Sequence, residues 1–188
     1  MAHDFIAVRR AEPRDAEAIH ALLVECGREM TERGLCNWDP PPASPASIRA
    51  EIAGDIVLAA LAGDGTLVGT VTLRARPTHE YGPDEAAGRV TWAAPGVTGA
   101  TGATRASEAA VRYMNRLAVH PALQGAGLGS RLMAASETEA RAAGVAALRF
   151  DVLAANAPLV RWYERRGAVV RGRRRHSGKD FVAMEKVL

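Results

Sequence analysis

Residues 115–133, reading NRLAVHPALQGAGLGSRLM, restrict this chain more than any other stretch. The run opens with strand periodicity: Tyr113, Asn115, Leu117 and Val119 share one face, while Met114 and Ala118 share the other. His120 and Pro121 end the strand, because proline offers no amide to a ladder and disfavours helix in the residue before it. Gln124 to Gly129 then leads directly into helical spacing, with Leu128, Leu132 and Ala135 at i, i+4 and i+7. A strand, a glycine turn and a helix in that order aim backbone N–H groups and the positive helix end at an anion. Glycines at such a turn let the backbone approach a pyrophosphate closely and take positive φ.

Three phosphate cradles use this layout. A Walker loop needs Lys and then Ser or Thr after its last glycine, whereas Ser130 and Arg131 follow Gly129 here. A dinucleotide fingerprint needs G-x-G-x-x-G, and this turn reads G-x-G-x-G. The third fits residue for residue. Gln124-x-x-Gly127-x-Gly129 resembles the acyl-CoA pyrophosphate motif of the GNAT superfamily of N-acetyltransferases, and the LAVHP before it and SRLM after it resemble that family too. The bland alternative is a glycine-rich turn that merely caps a helix. The resemblance extends along nearly the whole chain and is strongest over 109–168.

It implies an α/β (α+β) architecture: a mixed, mostly antiparallel sheet of about seven strands, splayed at a central parallel pair and flanked by about four helices. At 188 residues the chain suits one domain, 1–188, with a sizeable core. Periodicity agrees along its length. A strand is expected from Phe5, then a helix carrying Ile19, Leu22, Leu23, Cys26 and Met30 and ending by Gly34. A short helix is expected over 44–53, followed by strands over 56–62 and 67–73 about the turn at 63–65. Further on come a helix to about Ala143, a strand over 147–153, a helix capped by Asn156, and a last hairpin of strands 168–173 and 181–187. Residues 76–107, rich in Ala, Gly and Thr, carry little to bury, and a mobile loop is expected there.

Acetyl transfer from a thioester to an amine requires four things: a held cofactor, a polarised carbonyl, a base for the ammonium and an acid for the thiolate. The resemblance implies acetyl-CoA as acyl donor, its pyrophosphate wrapped by Gln124, Gly125, Ala126, Gly127, Leu128, Gly129 and Ser130, with Arg131 as a further cation. It also implies that the backbone of Leu117 and Val119 pairs with the pantetheine arm, and that the amide of Leu117 or Ala118 polarises the thioester. Asn156 then contacts the cofactor, and the phenol of Tyr163 faces its sulfur as the acid. A phenol with a pKa of about 10 suits that task; the competing reading is a packed helix tyrosine. Trp38, in a GLCNW segment resembling an acceptor-side Gly-Ile-x-Gln-Trp of some members, is either a substrate wall or a core plug. Asn115, on the acceptor side, occupies a position where many relatives carry glutamate, and an amide cannot act as base. Glu108, Asp151, His120 and a water chain remain as alternatives.

Bulk properties narrow the partners. The segment 161–188 carries nine Lys and Arg against three acidic residues, leaving +6 there and −3 elsewhere. Solvation, the cofactor's phosphates or nucleic acid are all readings of such a tail. It lacks an aromatic stacking platform, so no nucleic acid is expected. No run of about 18 apolar residues exists, so no membrane partner is expected either. Cys26 and Cys36 make neither a disulfide framework nor a metal-ligand spacing, so no metal and a reducing, cytoplasmic setting are expected. The remaining partner is an amine acceptor, and homodimers are common in the family. A different class of reading is a non-catalytic sensor that binds acyl-CoA without turning it over.

Overall fold

The computed structural model describes residues 5–35, 43–77, 81–93 and 111–188. Its strands are β1 (Phe5–Arg10), β2 (Ile56–Ala62), β3 (Leu67–Arg74), β4 (Val111–Val119), β5 (Ala147–Leu153), β6 (Val169–His176) and β7 (Lys179–Val187). They form one sheet in the order β1-β2-β3-β4-β5-β7-β6. Strand β4 runs parallel to β5, whereas the β1–β2, β2–β3, β5–β7 and β6–β7 pairs are antiparallel. The β4–β5 ladder is short. It joins Val111 to Ala147, Arg112 to Leu148 and Tyr113 to Arg149, then stops, while β5 pairs with β7 from Ala147 through Leu153.

Among the described residues there are five α-helices, α1 (Ala16–Glu32), α2 (Pro45–Gly54), α3 (Gly82–Ala86), α4 (Leu128–Ala142) and α5 (Ala157–Glu164). Local chemistry sets their ends. Ser44 caps α2 by accepting from the Ser47 amide, and Asn156 caps α5 by accepting from the Leu159 amide. Helix α1 buries Ala16, Ile19, Leu22, Leu23 and Cys26 as one stripe. None of the described helices is long and apolar enough to cross a membrane.

The chain divides into two compact units that interleave in sequence, Met1–Arg74 with Met114–Glu139, and Ala75–Tyr113 with Ala140–Leu188. In the first, the α1 stripe joins Ile48, Val57 and Ala118 in a core. Burying each of its larger aliphatic side chains contributes about 1.5–3 kcal/mol. In the second, Tyr81, Val90 and Ala183 are packed with Trp92 and Tyr113.

That second cluster departs from the loop expected over 76–107. Within that span residues 81–93 form α3 and then an extended piece laid along β6. The Thr91 amide donates to the Arg171 carbonyl at 3.0 Å and the Arg173 amide to the Arg89 carbonyl at 3.3 Å. Gly172 makes the approach possible, since a Cβ there would lie 1.9 Å from the Arg89 carbonyl oxygen. Tyr81 and Asp84 are buried there, and Trp92 packs edge-on against Tyr81. The final hairpin is also longer than its alternation predicts, because the turn at Ser177 and Gly178 (φ 48 and 75) keeps both strands in register up to His176 and Lys179.

Candidate active site

In the first unit, β4 delivers the chain to the glycine turn. His120 caps a short 3-10 turn over Pro121–Leu123, its Nδ1 accepting from the Ala122 amide at 3.2 Å. Gly125 and Gly127 then take φ of 83 and 86, a region costly for any residue with a Cβ, and α4 begins at Leu128. Leu128, Leu132 and Met133 are buried and fix the helix, while Gln124 to Gly127 are exposed. Among the described residues no backbone carbonyl outside the helix accepts from the amides of Gly125, Gly127, Leu128 or Gly129. Amides left without a backbone acceptor at the start of a helix are the donors an anion uses. The Gln124 side chain ties the turn down, donating to the Val119 carbonyl at 3.3 Å and to Glu29 at 3.4 Å.

The strand before this turn holds a feature that alternation does not reveal. Arg116 sits at φ 52 in the middle of β4. Its guanidinium is nearly buried, paired with Glu51 of α2 and 3.5 Å from the Thr72 hydroxyl. A left-handed residue inside a strand kinks it as a bulge does and re-aims the groups that follow. Beyond the kink, the His120 amide donates to the Val68 carbonyl on β3, so alternation turns Leu117 and Val119 to the opposite edge. The Val119 carbonyl there accepts from the Cys26 thiol (3.4 Å) and from Gln124. The ladder with β5 ends at Tyr113, so Leu117 and Val119 are not part of it. Burial, with Glu29 and Glu25 nearby, pushes the Cys26 thiol up to about 12, which leaves it a packing residue.

In the second unit, Asn156 spends its side-chain oxygen on the α5 cap at 3.2 Å. Tyr163 is buried against Phe150 (ring centroids 4.6 Å apart) and Trp162 (4.9 Å). Burial raises its phenol well above the usual tyrosine range, with Arg166 pulling the other way. At ordinary pH the group stays a neutral phenol.

The same unit carries a polar network on the sheet face that receives residues 81–93. Glu185 on β7 is fully buried and fully satisfied, by Arg149 at 3.0 Å, Arg171 at 2.9 Å and the Ala93 amide at 2.9 Å. Arg149 also lies 4.7 Å from the Trp92 ring centroid. Arg174 on β6, nearly buried, lies 3.1 Å from Asp84, 3.4 Å from Asp151 and 4.4 Å from the Tyr81 ring centroid. Two arginines of the basic tail are committed inward, Arg171 to Glu185 and Arg174 to Asp84 and Asp151, whereas the Arg175–Asp180 pair lies exposed.

Of the candidate bases, His120 has both ring nitrogens engaged, the second 3.2 Å from Glu25. Asp151 sits in the network just described. Glu108 and Trp38 lie outside the described residues. Sequence reasoning missed Arg116 and Glu185 altogether, and no local pattern marks either. No group of three metal-ligand side chains occurs among the described residues.

A family model described as the acetyltransferase (GNAT) family matches residues 17–168. No curated protein matches the sequence. Among solved structures, a putative acetyltransferase from Salmonella typhimurium with its cofactor acetyl-CoA is similar at 18% identity, covering 98% of this chain and 94% of that one, with a TM-score of 0.70. An N-acetyltransferase from Thermoplasma acidophilum in complex with coenzyme A matches at 19% identity over 97% and 98%, TM-score 0.67. A ribosomal-protein-alanine N-acetyltransferase from Brucella melitensis matches at 19% identity over 97% and 100%, also at 0.67. At these identities the likeness is one of fold.

Proposed function

Because the chain belongs to the acetyltransferase (GNAT) family, we propose that it transfers an acetyl group from acetyl-CoA to a primary amine of a small molecule or protein, by direct attack within a ternary complex. The observation that carries this reading is the glycine turn, whose amides at Gly125, Gly127, Leu128 and Gly129 have no backbone acceptor outside the helix among the described residues and lead into α4. Those amides hold the pyrophosphate, with Gln124, Ala126 and Ser130 completing the turn. The amides of Leu117 and Val119, past the Arg116 kink, pair with the pantetheine arm, and the Leu117 or Ala118 amide stabilises the oxyanion formed on the thioester.

As the amine nitrogen attacks, the C–N bond forms, the C–S bond breaks and the departing thiolate takes a proton. Tyr163 supplies it: burial keeps the phenol protonated at neutral pH, so the proton is present, while making it a weaker acid than a free phenol. Asn156, its oxygen committed to the cap, keeps its amide N–H groups for the cofactor. Trp38 and Asn115 contribute to the acceptor side. A cytoplasmic setting fits a chain whose cysteines form no disulfide framework.

A sensor that binds acyl-CoA without turnover is the second reading, favoured by Asn115 standing where a base is expected. One experiment separates the two: thiol release from acetyl-CoA measured against an alanine-terminated peptide, phosphinothricin, spermidine and lysine. Amine-dependent release supports the transferase. Tight acetyl-CoA binding with no release on any of them supports the sensor.

A further inference from the structure

We propose that Arg116 and Glu51 are positioning residues for the thioester: their ion pair, running from β4 to α2, holds the strand in the turn that aims the Leu117 amide at the carbonyl. The proposal rests on the reading above that an amide of β4 meets that carbonyl, and every residue it uses belongs to the first unit.

The backbone sets the problem. Among the described residues only Arg116 and Ser177 have positive φ without being glycine. Ser177 stands beside Gly178 in a hairpin turn, where that φ is ordinary. Arg116 stands inside a strand, where a bulky residue in the left-handed region is an outlier. The planar peptide that follows Arg116 carries the Leu117 N–H, so the Arg116 torsions aim that donor directly. Past this point the strand regains its alternation. The Ala118 carbonyl oxygen lies beside Gly69 of β3, 3.2 Å from where a Cβ there would sit, and the His120 amide donates to the Val68 carbonyl. A strand residue sends its N–H and C=O towards the same edge. Ala118 and His120 therefore face β3, and alternation turns Leu117, not Ala118, away from it.

The side chains supply the hold. The Arg116 guanidinium pairs with Glu51 and lies 3.5 Å from the Thr72 hydroxyl on β3, so it bridges helix and sheet beside the kink. Glu51 is presented from an anchored helix. Ser44 caps α2, and Ile48, three residues before Glu51, is buried in one core with Ala118. Packing thus fixes where α2 stands against β4, and the ion pair acts on the torsion. An exposed pair would hold little, but these side chains are only 9% and 14% exposed, and either charge without the other is costly there. Glycine at this position would accept the same φ without holding it. A strained and locked arginine gives a donor that is fixed before the thioester arrives, as stabilisation of a developing oxyanion requires.

The test reads the thioester carbonyl itself. Difference infrared spectra are taken of acetyl-CoA, isotopically labelled at the carbonyl, free and bound to the wild type, Glu51→Ala, Arg116→Gly and Arg116→Lys. Calorimetry gives the affinity and the number of sites, and thiol release on the four amines named above is expressed per site, which removes any unfolded fraction. Binding to the wild type should move the carbonyl stretch to lower frequency, as a hydrogen bond from Leu117 requires. Glu51→Ala leaves the sequence of β4 intact, yet should lose most of that shift and about 10-fold or more of kcat per site, with acetyl-CoA affinity within about fivefold. Arg116→Gly should behave likewise, and Arg116→Lys, which keeps a cation for Glu51, should recover most of the shift. A purely structural pair would lower the number of sites and leave shift and rate per site as in the wild type; that result overturns the proposal. If Glu51→Ala does not fold, an unaltered shift in Arg116→Gly overturns it. Bound acetyl-CoA without a shift in the wild type overturns it outright. A wild type that shows the shift but releases no thiol on any amine overturns the transferase reading alone, and the shift in Glu51→Ala then decides the role of the pair.

Discussion

Arg116 occupies the left-handed region at φ 52 inside β4 and is held there by an ion pair with Glu51 on α2. A non-glycine residue in that conformation costs of order 1–3 kcal/mol and persists only where its surroundings enforce it. The enforcing contacts are Glu51 and the Thr72 hydroxyl, with Arg74 also reaching Glu51 at 4.0 Å. The kink lies directly before the amides assigned to pantetheine and oxyanion.

Arg116→Ala should lower stability by about 2–4 kcal/mol in urea unfolding, since it strands the Glu51 carboxylate and keeps the strained φ. Arg116→Gly loses the same ion pair but accepts the φ freely, and should recover about 1 kcal/mol of that loss. Equal losses would mean that the kink carries no strain.

Asp15 anchors the entry to α1. It accepts from Arg9 at 2.7 and 2.9 Å and from the Glu12 amide at 2.7 Å, and these bonds, Arg9 first, hold its carboxyl below the usual range. A depressed folded pKa contributes stability above the unfolded value, lost as pH falls through the folded one. Asp15→Asn should therefore cost about 1–2 kcal/mol at neutral pH, and the deficit should close below about pH 3. A deficit independent of pH would assign the effect to packing.

Asp151 carries the opposite sign. Its carboxyl is raised in the fold to about 6, so its contribution is fully present below the unfolded value of about 3.9 and is lost as pH rises through 6. The stability of Asp151→Asn relative to the wild type should rise by about 1–3 kcal/mol between pH values of about 4 and 7. A flat difference in unfolding free energy over that window would place the carboxylate in an ordinary solvated setting.

Tyr163→Phe keeps the ring contacts with Phe150 and Trp162 and removes only the phenol oxygen. Turnover should fall by about 10- to 100-fold, with acetyl-CoA affinity changed by less than about threefold. Steady-state rates beside calorimetry read both. Unaltered turnover would return Tyr163 to a purely packing role.

Much of the fold is legible in the sequence because its signals are local. A short apolar run and the Gly63-Asp64-Gly65 turn mark β2 and β3, the apolar stripe from Ile19 to Cys26 marks α1, and Ser44 and Asn156 announce their helices by cap chemistry. The glycine turn is legible for the same reason: a strand, a stop and a helix read in succession. What escapes is set by partners remote in sequence. Nothing near Arg116 predicts its φ, because the residue that holds it is Glu51. Asp84 and Trp92 lie beside a low-complexity run, yet their partners include Arg174 and Arg149. The run from Arg173 to Arg175 reads as a solvated basic tail, and local sequence does not reveal that Arg174 is the member folded inward. The polar network was invisible because both of its halves look like surface until the sheet brings them together.

The most direct measurement is a calorimetric titration of acetyl-CoA into the wild type and into Gly127→Val, with circular dichroism to confirm that both are folded. Gly127 has open space about it and φ of 86, so valine there disturbs the turn without colliding with the rest of the protein. Saturable one-to-one binding by the wild type, weakened by about 100-fold or more in Gly127→Val, is the predicted result. Absence of binding by the wild type, or equal binding by both, would contradict the assignment of the Gln124–Gly129 turn as the cofactor cradle.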